Sequence, residues 1–126
     1  RRAWGRTGDI ALLAIDTITN KRVGAIWCRL FPSAPDFVPG FYHPSVPLVS
    51  LAVSPNARHQ GIGGSLLDAL KQTAAQQGYA ALSLAVNAKN PAHSLYLQQG
   101  FQPHTQQITS ALITMTVHFT TLLSNL

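Results

Sequence analysis

The feature that most constrains this chain is a glycine-rich turn placed between a strand and a helix. Leu48–Val53 has the apolar density of a strand and ends at Ser54-Pro55-Asn56. Arg58-His59-Gln60-Gly61-Ile62-Gly63-Gly64 follows, and Ser65-Leu66-Leu67 opens a helix. The first N–H groups of a helix have no partner inside it, and the helix dipole adds partial positive charge there. Glycines keep side chains from blocking an anion's approach to those groups. The segment therefore has the makings of a phosphate cradle. It is not a nucleotide P-loop, since no Gly-Lys-Ser/Thr follows. It is not the dinucleotide fingerprint either, because the glycines run Gly-x-Gly-Gly and no acid lies at the required distance. Taken alone, a plain strand-to-helix turn that binds nothing is an alternative.

The rest of the chain supplies an architecture around this unit. Ile10–Ile15 and Val23–Phe31 are apolar runs separated by the turn formers Asp16-Thr17-Ile18-Thr19-Asn20-Lys21, which predicts a hairpin. Both strands are apolar at nearly every position, so both faces are expected to be covered. Pro32 to Pro47 holds five prolines and Gly40 and is expected to be a long loop. In the helix after the turn, Leu66, Leu67, Leu70 and Ala74 share one face and Lys71, Gln72 and Gln76 the other, with Gly78 as the stop. Leu82, Leu84 and Val86 alternate in a strand over Ala80–Val86. Asn90 is placed to cap a helix with Pro91 at its first position and Gly100 at its end. Ile113–Phe119 alternates as a final strand. The expected fold class is α/β (α+β), a mixed, mostly antiparallel sheet with helices on its faces, in one domain over 1–126.

Composition narrows the function classes. A chain of 126 residues, 46% hydrophobic and 10% charged, can bury a core and is not a disordered segment. No apolar run reaches the roughly 18 residues of a membrane span, and Arg1-Arg2-Ala3-Trp4-Gly5 has no apolar stretch behind it to act as a signal peptide. No membrane partner is expected, and a cytoplasmic location fits the single cysteine, Cys28. The absence of an initiator Met suggests that the sequence begins partway into a gene product. The net charge is +5, there is no Glu, and the acids are Asp9, Asp16, Asp36 and Asp68. This balance favours an anionic ligand. The basic residues form no stripe with interleaved aromatics, so nucleic acid is not expected. His59, His93, His104 and His118 show no metal-ligand spacing, and no metal is expected. Cys28, beside Trp27 in an apolar strand, is expected to be a small buried hydrophobe. No Gly-x-Ser-x-Gly occurs.

Arg58-His59-Gln60-Gly61-Ile62-Gly63 resembles the Arg/Gln-x-x-Gly-x-Gly/Ala pyrophosphate motif of the GNAT superfamily of N-acetyltransferases. Asn90-Pro91-Ala92-His93-Ser94-Leu95-Tyr96-Leu97-Gln98-Gln99-Gly100-Phe101 is similar to that family's Asn-x-x-Ala-x-x-Leu-Tyr-x-x-x-Gly-Phe segment. The resemblance covers Asp9 to about Phe119. It implies acetyl-CoA as cosubstrate and direct transfer of the acetyl group to a primary amine of a small molecule or protein, with no covalent intermediate. It implies that the strand before the turn carries a bulge, and that the backbone of Leu51, Ala52 and Val53 meets the pantetheine arm. The Val53 amide would polarise the thioester carbonyl. Arg58 and the backbone of His59, Gln60, Gly61, Ile62, Gly63, Gly64 and Ser65 would hold the pyrophosphate. Asn90 and Ala92 would flank the cosubstrate, and Tyr96 would protonate the departing thiolate. A non-catalytic acyl-CoA-binding module is the alternative.

The sequence departs from the family pattern in two places. Many members carry a catalytic Glu in a Pro-Glu-Leu triplet, where this chain has Pro47-Leu48-Val49. Asp36 and His43 in the proline-rich loop are candidates for the missing base. The family's first strand and two helices have no counterpart before Asp9, so Ile10–Ile15 is expected to be an apolar edge strand. Residues outside the sequence, or a second subunit in a homodimer, are expected to cover it.

Overall fold

The computed structural model describes residues 9–31, 39–58, 60–109 and 112–119. The first hairpin joins β1 (Ile10–Asp16) to β2 (Lys21–Arg29). Its turn is held by Asp16, whose Oδ1 accepts the N–H groups of Ile18 and Thr19 at 2.8 and 3.3 Å. Asn20 takes the left-handed conformation at φ 59°, which Asn tolerates better than most residues. β2 pairs without a register shift to β3 (Leu48–Val53).

A single 3-10 turn at Pro55–Ala57 leads into α1 (Ile62–Gln76). As the 3.6-residue period predicts, Leu66, Leu67, Leu70 and Ala74 are buried. Gly78, at φ 93°, closes the helix, and Tyr79 N–H reaches back to the Ala74 carbonyl at 3.1 Å. β4 (Ala81–Asn87) lies parallel to β3. Then come α2 (Ala92–Gln98) and the hairpin of β5 (Gln102–Thr109) and β6 (Leu112–His118). The sheet order is β1-β2-β3-β4-β6-β5, antiparallel at every step except β3 to β4. This is the mixed, mostly antiparallel α+β sheet expected.

Both helices pack on one face. A Cβ at Gly24 would stand 3.1 Å from Ile62 Cγ2 and 3.2 Å from Leu66 Cδ1, so this strand glycine lets α1 approach the sheet. The core there joins Ile10, Ile26, Cys28 and Val49 to the α1 leucines, Leu82, Leu84, Val86 and Phe101. On the opposite face, the turn carrying Gly40 lies against β4. A Cβ at Gly40 would be 2.7 Å from the Ala85 nitrogen, and φ is +87°. Only glycine fits that seat.

The expectation that both faces of β1 are covered does not hold. Ile10, Leu12 and Ala14 turn towards the helices, while Leu13 is 55% and Ile15 44% exposed. An unbroken apolar run signals burial on both sides only where a second layer exists, and among the described residues none lies over this part of the sheet. β1 is the edge strand of the described sheet.

Candidate functional site

β3 and β4 pair through one rung, Leu48 opposite Ser83, supported by Ser83 N–H donating to the Pro47 carbonyl at 3.0 Å. Beyond it the strands part. Ser54 N–H points to β2, donating to Val23 O at 2.8 Å. Peptide groups alternate along a strand, so the N–H and C=O groups of Leu51 and Val53 point the other way, into the gap. Arg58 takes one of them: its Nε donates to the Val53 carbonyl at 3.2 Å. The bulge expected in β3 is not present in its pairing with β2, whose register is continuous. Divergence from β4, not a bulge, turns these amides towards open space. The irregularity on this side of the sheet lies instead between Ala14 and Ile15.

The wide end of the gap opens at the start of α1. Gly61 sits at φ 80° with nothing within 4 Å of a would-be Cβ. Ser65 N–H donates to the Gly61 carbonyl at 3.0 Å, the first bond of the helix. The N–H groups of Ile62, Gly63 and Gly64 therefore have no intrahelical partner and carry the positive end of the dipole. The glycines also serve the fold itself. Gly61 supplies the left-handed turn. A Cβ at Gly63 would meet Leu95 Cδ2 at 3.0 Å, and one at Gly64 would lie 3.7 Å from Gln99 Nε2. Gly63 lets α2 come close against α1, whereas a Cβ at Gly64 would make only ordinary contact. Gln60 and Ser65 are exposed beside the turn, and His59 lies outside the described residues.

On the β4 side, Asn90 starts α2 as predicted. Its Oδ1 accepts the Ala92 N–H at 2.9 Å, its carbonyl accepts the His93 N–H at 2.9 Å, and Pro91 has helical dihedrals. Tyr96 is 8% exposed and meets Phe101 edge to face, with ring centroids 5.8 Å apart. Burial raises its pKa above the ordinary phenol value, so the ring stays protonated at neutral pH. Lys71, expected on the solvent face of α1, donates from Nζ to the Gln99 carbonyl at 2.8 Å and ties the end of α2 to α1.

Leu48, where the family's carboxylate would stand, is half-buried at the closed end of the gap. Asp36 lies outside the described residues. His43 is exposed, and its Nδ1 accepts the Ser45 N–H at 3.1 Å with Ser45 Oγ at 2.8 Å. Cys28 is buried, and burial, the largest cause, pushes its thiol up to about 11. It is not a nucleophile.

One feature gave no signal in the sequence. The shift at Ala14 and Ile15 pairs Ile15 with Arg22 and skips Val23. Arg22 is thereby brought to a shallow hollow of about 400 Å³ that also borders Leu13, Ala25, Ala52, Val53 and Ser54. Among the described residues no cluster of His, Cys, Asp or Glu could hold a metal, and no helix is long and apolar enough to cross a membrane.

A model of the acetyltransferase (GNAT) family matches residues 2–101. No curated protein matches the chain. Among solved structures, the PaiA N-acetyltransferase of Thermoplasma acidophilum, in complex with coenzyme A, is 18% identical with a TM-score of 0.70, over 88% of this chain and 61% of its own. The ribosomal-protein-alanine N-acetyltransferase of Brucella melitensis is 24% identical with a TM-score of 0.71, over 90% and 71%. A phosphinothricin acetyltransferase of Sinorhizobium meliloti, in complex with acetyl-CoA, is 18% identical with a TM-score of 0.68, over 89% and 62%. The chain thus spans less than two thirds of the first and third of these proteins. At such identities the likeness is one of fold.

Proposed function

The chain belongs to the acetyltransferase (GNAT) family, and from that premise we propose that it transfers an acetyl group from acetyl-CoA to a primary amine of a small molecule or protein. The observation that carries the reading is the β3–β4 gap opening onto the free N–H groups of α1. A long ligand with an anionic middle and an amide-rich arm fits that combination. The pyrophosphate would lie against the backbone of Gln60 to Ser65, where N–H donors and dipole converge. Arg58, anchored at Val53 through Nε, keeps its terminal nitrogens for phosphate oxygens. The pantetheine arm would run along Leu51, Ala52 and Val53, with Asn90 and Ala92 across the gap.

In the reaction the amine nitrogen attacks the thioester carbon, the carbon–sulfur bond breaks, and the sulfur leaves as thiolate. The Val53 N–H, fixed before reaction, would hold the developing oxyanion. Tyr96, kept neutral by its burial, would donate its phenolic hydrogen towards the leaving sulfur. No carboxylate stands at Leu48 to take the amine's proton, and Asp36, His43 or a water chain to solvent would accept it. That same leucine favours a second reading, a module that binds acyl-CoA without catalysis. Calorimetric titration with acetyl-CoA, followed by a thiol-release assay over a panel of amines, separates the two. Binding with release on an amine supports transfer. Binding with no release on any amine supports the module, and no binding removes both.

A further inference from the structure

α2 carries Tyr96 and is seven residues long. A helix of two turns is marginal without tertiary support. It meets α1 at either end of its last turn. One anchor lies at the start of α1, where Leu95 Cδ2 comes within 3.0 Å of the place a Cβ would take at Gly63. An apolar contact of this kind fixes a distance but lets a helix pivot about it. The second anchor is Lys71, further along α1 by about 12 Å at ~1.5 Å per residue. Its Nζ donates to the Gln99 carbonyl at 2.8 Å, and the bond is partly buried. Gln99 caps the C-terminus of α2. Carbonyls at the end of a helix lack intrahelical partners and carry the negative end of the dipole, so an ammonium there gains a charge-assisted bond as well as the field. Tyr96 lies between the two anchors. Its carbonyl accepts the Phe101 N–H at 3.0 Å, and its ring meets the Phe101 ring at 5.8 Å. Movement of the end of α2 therefore moves the phenol.

We propose that Lys71 is a positioning residue for acetyl transfer: by holding the carbonyl end of α2 it fixes the Tyr96 hydroxyl at the leaving sulfur. This rests on the transfer reading above, in which Tyr96 is the acid. A general acid works only within hydrogen-bond reach, and misplacing a reacting group by about 1 Å can cost about 100-fold. The test uses Lys71→Met, which keeps the apolar stem, and Lys71→Arg, which keeps a charged donor. Lys71→Gln, shorter and uncharged, is a second probe of the same loss. Before any cosubstrate is added, hydrogen exchange is followed at the Gly100 amide, which donates to the Leu97 carbonyl at 3.1 Å. It is expected to speed up about tenfold in Lys71→Met and to hold in Lys71→Arg, since about one charge-assisted bond is at stake. With acetyl-CoA and an amine that the wild type acetylates, Lys71→Met is expected to lower kcat about tenfold. Acetyl-CoA affinity by calorimetry is expected to hold, and Lys71→Arg to keep most of the turnover. In a Tyr96→Phe background the same Lys71→Met change is expected to cost less than about twofold, because its effect runs through the phenol. Wild-type protein that releases no thiol on any amine removes the transfer reading, and the proposal with it. Thiol release by the wild type with an unchanged kcat or an unchanged Gly100 exchange rate in Lys71→Met removes the proposal alone. So does a tenfold loss that persists in the Tyr96→Phe background, which would make Lys71 a support of the fold only.

Discussion

Leu48 and Ser83 form the rung at which β3 and β4 meet, and the strands diverge from there towards the helix N-termini. The residue in the family's carboxylate position therefore stands at the closed end of the gap, while Val53 stands where it widens. Cosubstrate binding and base catalysis are separable in such an arrangement.

Tyr96→Phe tests the acid role. The ring is buried against Phe101, and phenylalanine keeps that packing, so stability is expected to change by less than about 1 kcal/mol. Turnover is expected to fall about 100-fold, in the range of lost general-acid assistance, with acetyl-CoA affinity unchanged. Steady-state kinetics beside calorimetry would check this, and unchanged turnover would remove Tyr96 from the role.

Gly63→Val should separate packing from phosphate binding. A side chain there runs into Leu95, and overpacking of this kind costs about 1–3 kcal/mol. Leu95→Ala alone also destabilises, but the double variant should lose less than the sum of the two. A denaturant double-mutant cycle measures that coupling. Strict additivity would mean that the two helices do not meet at this point.

Asn90 is expected to stabilise α2 as a cap. Asn90→Ala should cost about 1 kcal/mol, and Asn90→Asp, which keeps an acceptor for the Ala92 N–H, should cost much less. Acetyl-CoA affinity in the stable Asp variant then reports any role of the Asn90 amide in binding.

Stability should fall on the alkaline side. Cys28 titrates at 9.0 when exposed and is pushed up to about 11 by burial in the fold. Its contribution is complete below pH 9.0 and lost as pH rises towards 11. The loss amounts to about 2 kcal/mol across that window. Chemical denaturation at several pH values should show the slope, and Cys28→Ala should flatten it. A slope unchanged in the variant would place its origin elsewhere.

Much of this fold was legible because local chemistry writes it. The spacing of Leu66, Leu67, Leu70 and Ala74 fixed the buried side of α1, the Asp16–Asn20 turn formers fixed the hairpin, and Asn90-Pro91 fixed the start of α2. What stayed hidden depends on partners far apart in sequence. Nothing around Gly63 says that Leu95 will face it. Composition cannot distinguish Leu12, which meets the helices, from Leu13, which meets solvent. The parting of β3 from β4 and the delivery of Arg22 to the hollow are products of strand registers, which no single segment encodes. The motif residues could be placed by resemblance, but the tight seat of Gly63 against Leu95 is visible only in the fold.

The most direct test of the central claim is a backbone amide NMR titration with acetyl-CoA. Large shifts are expected at Leu51, Val53 and Ile62 to Ser65, weaker ones at Asn90 and Ala92, and none along β5. Shifts centred elsewhere, with Val53 and Gly63 unmoved, would contradict a cosubstrate seated in the β3–β4 gap.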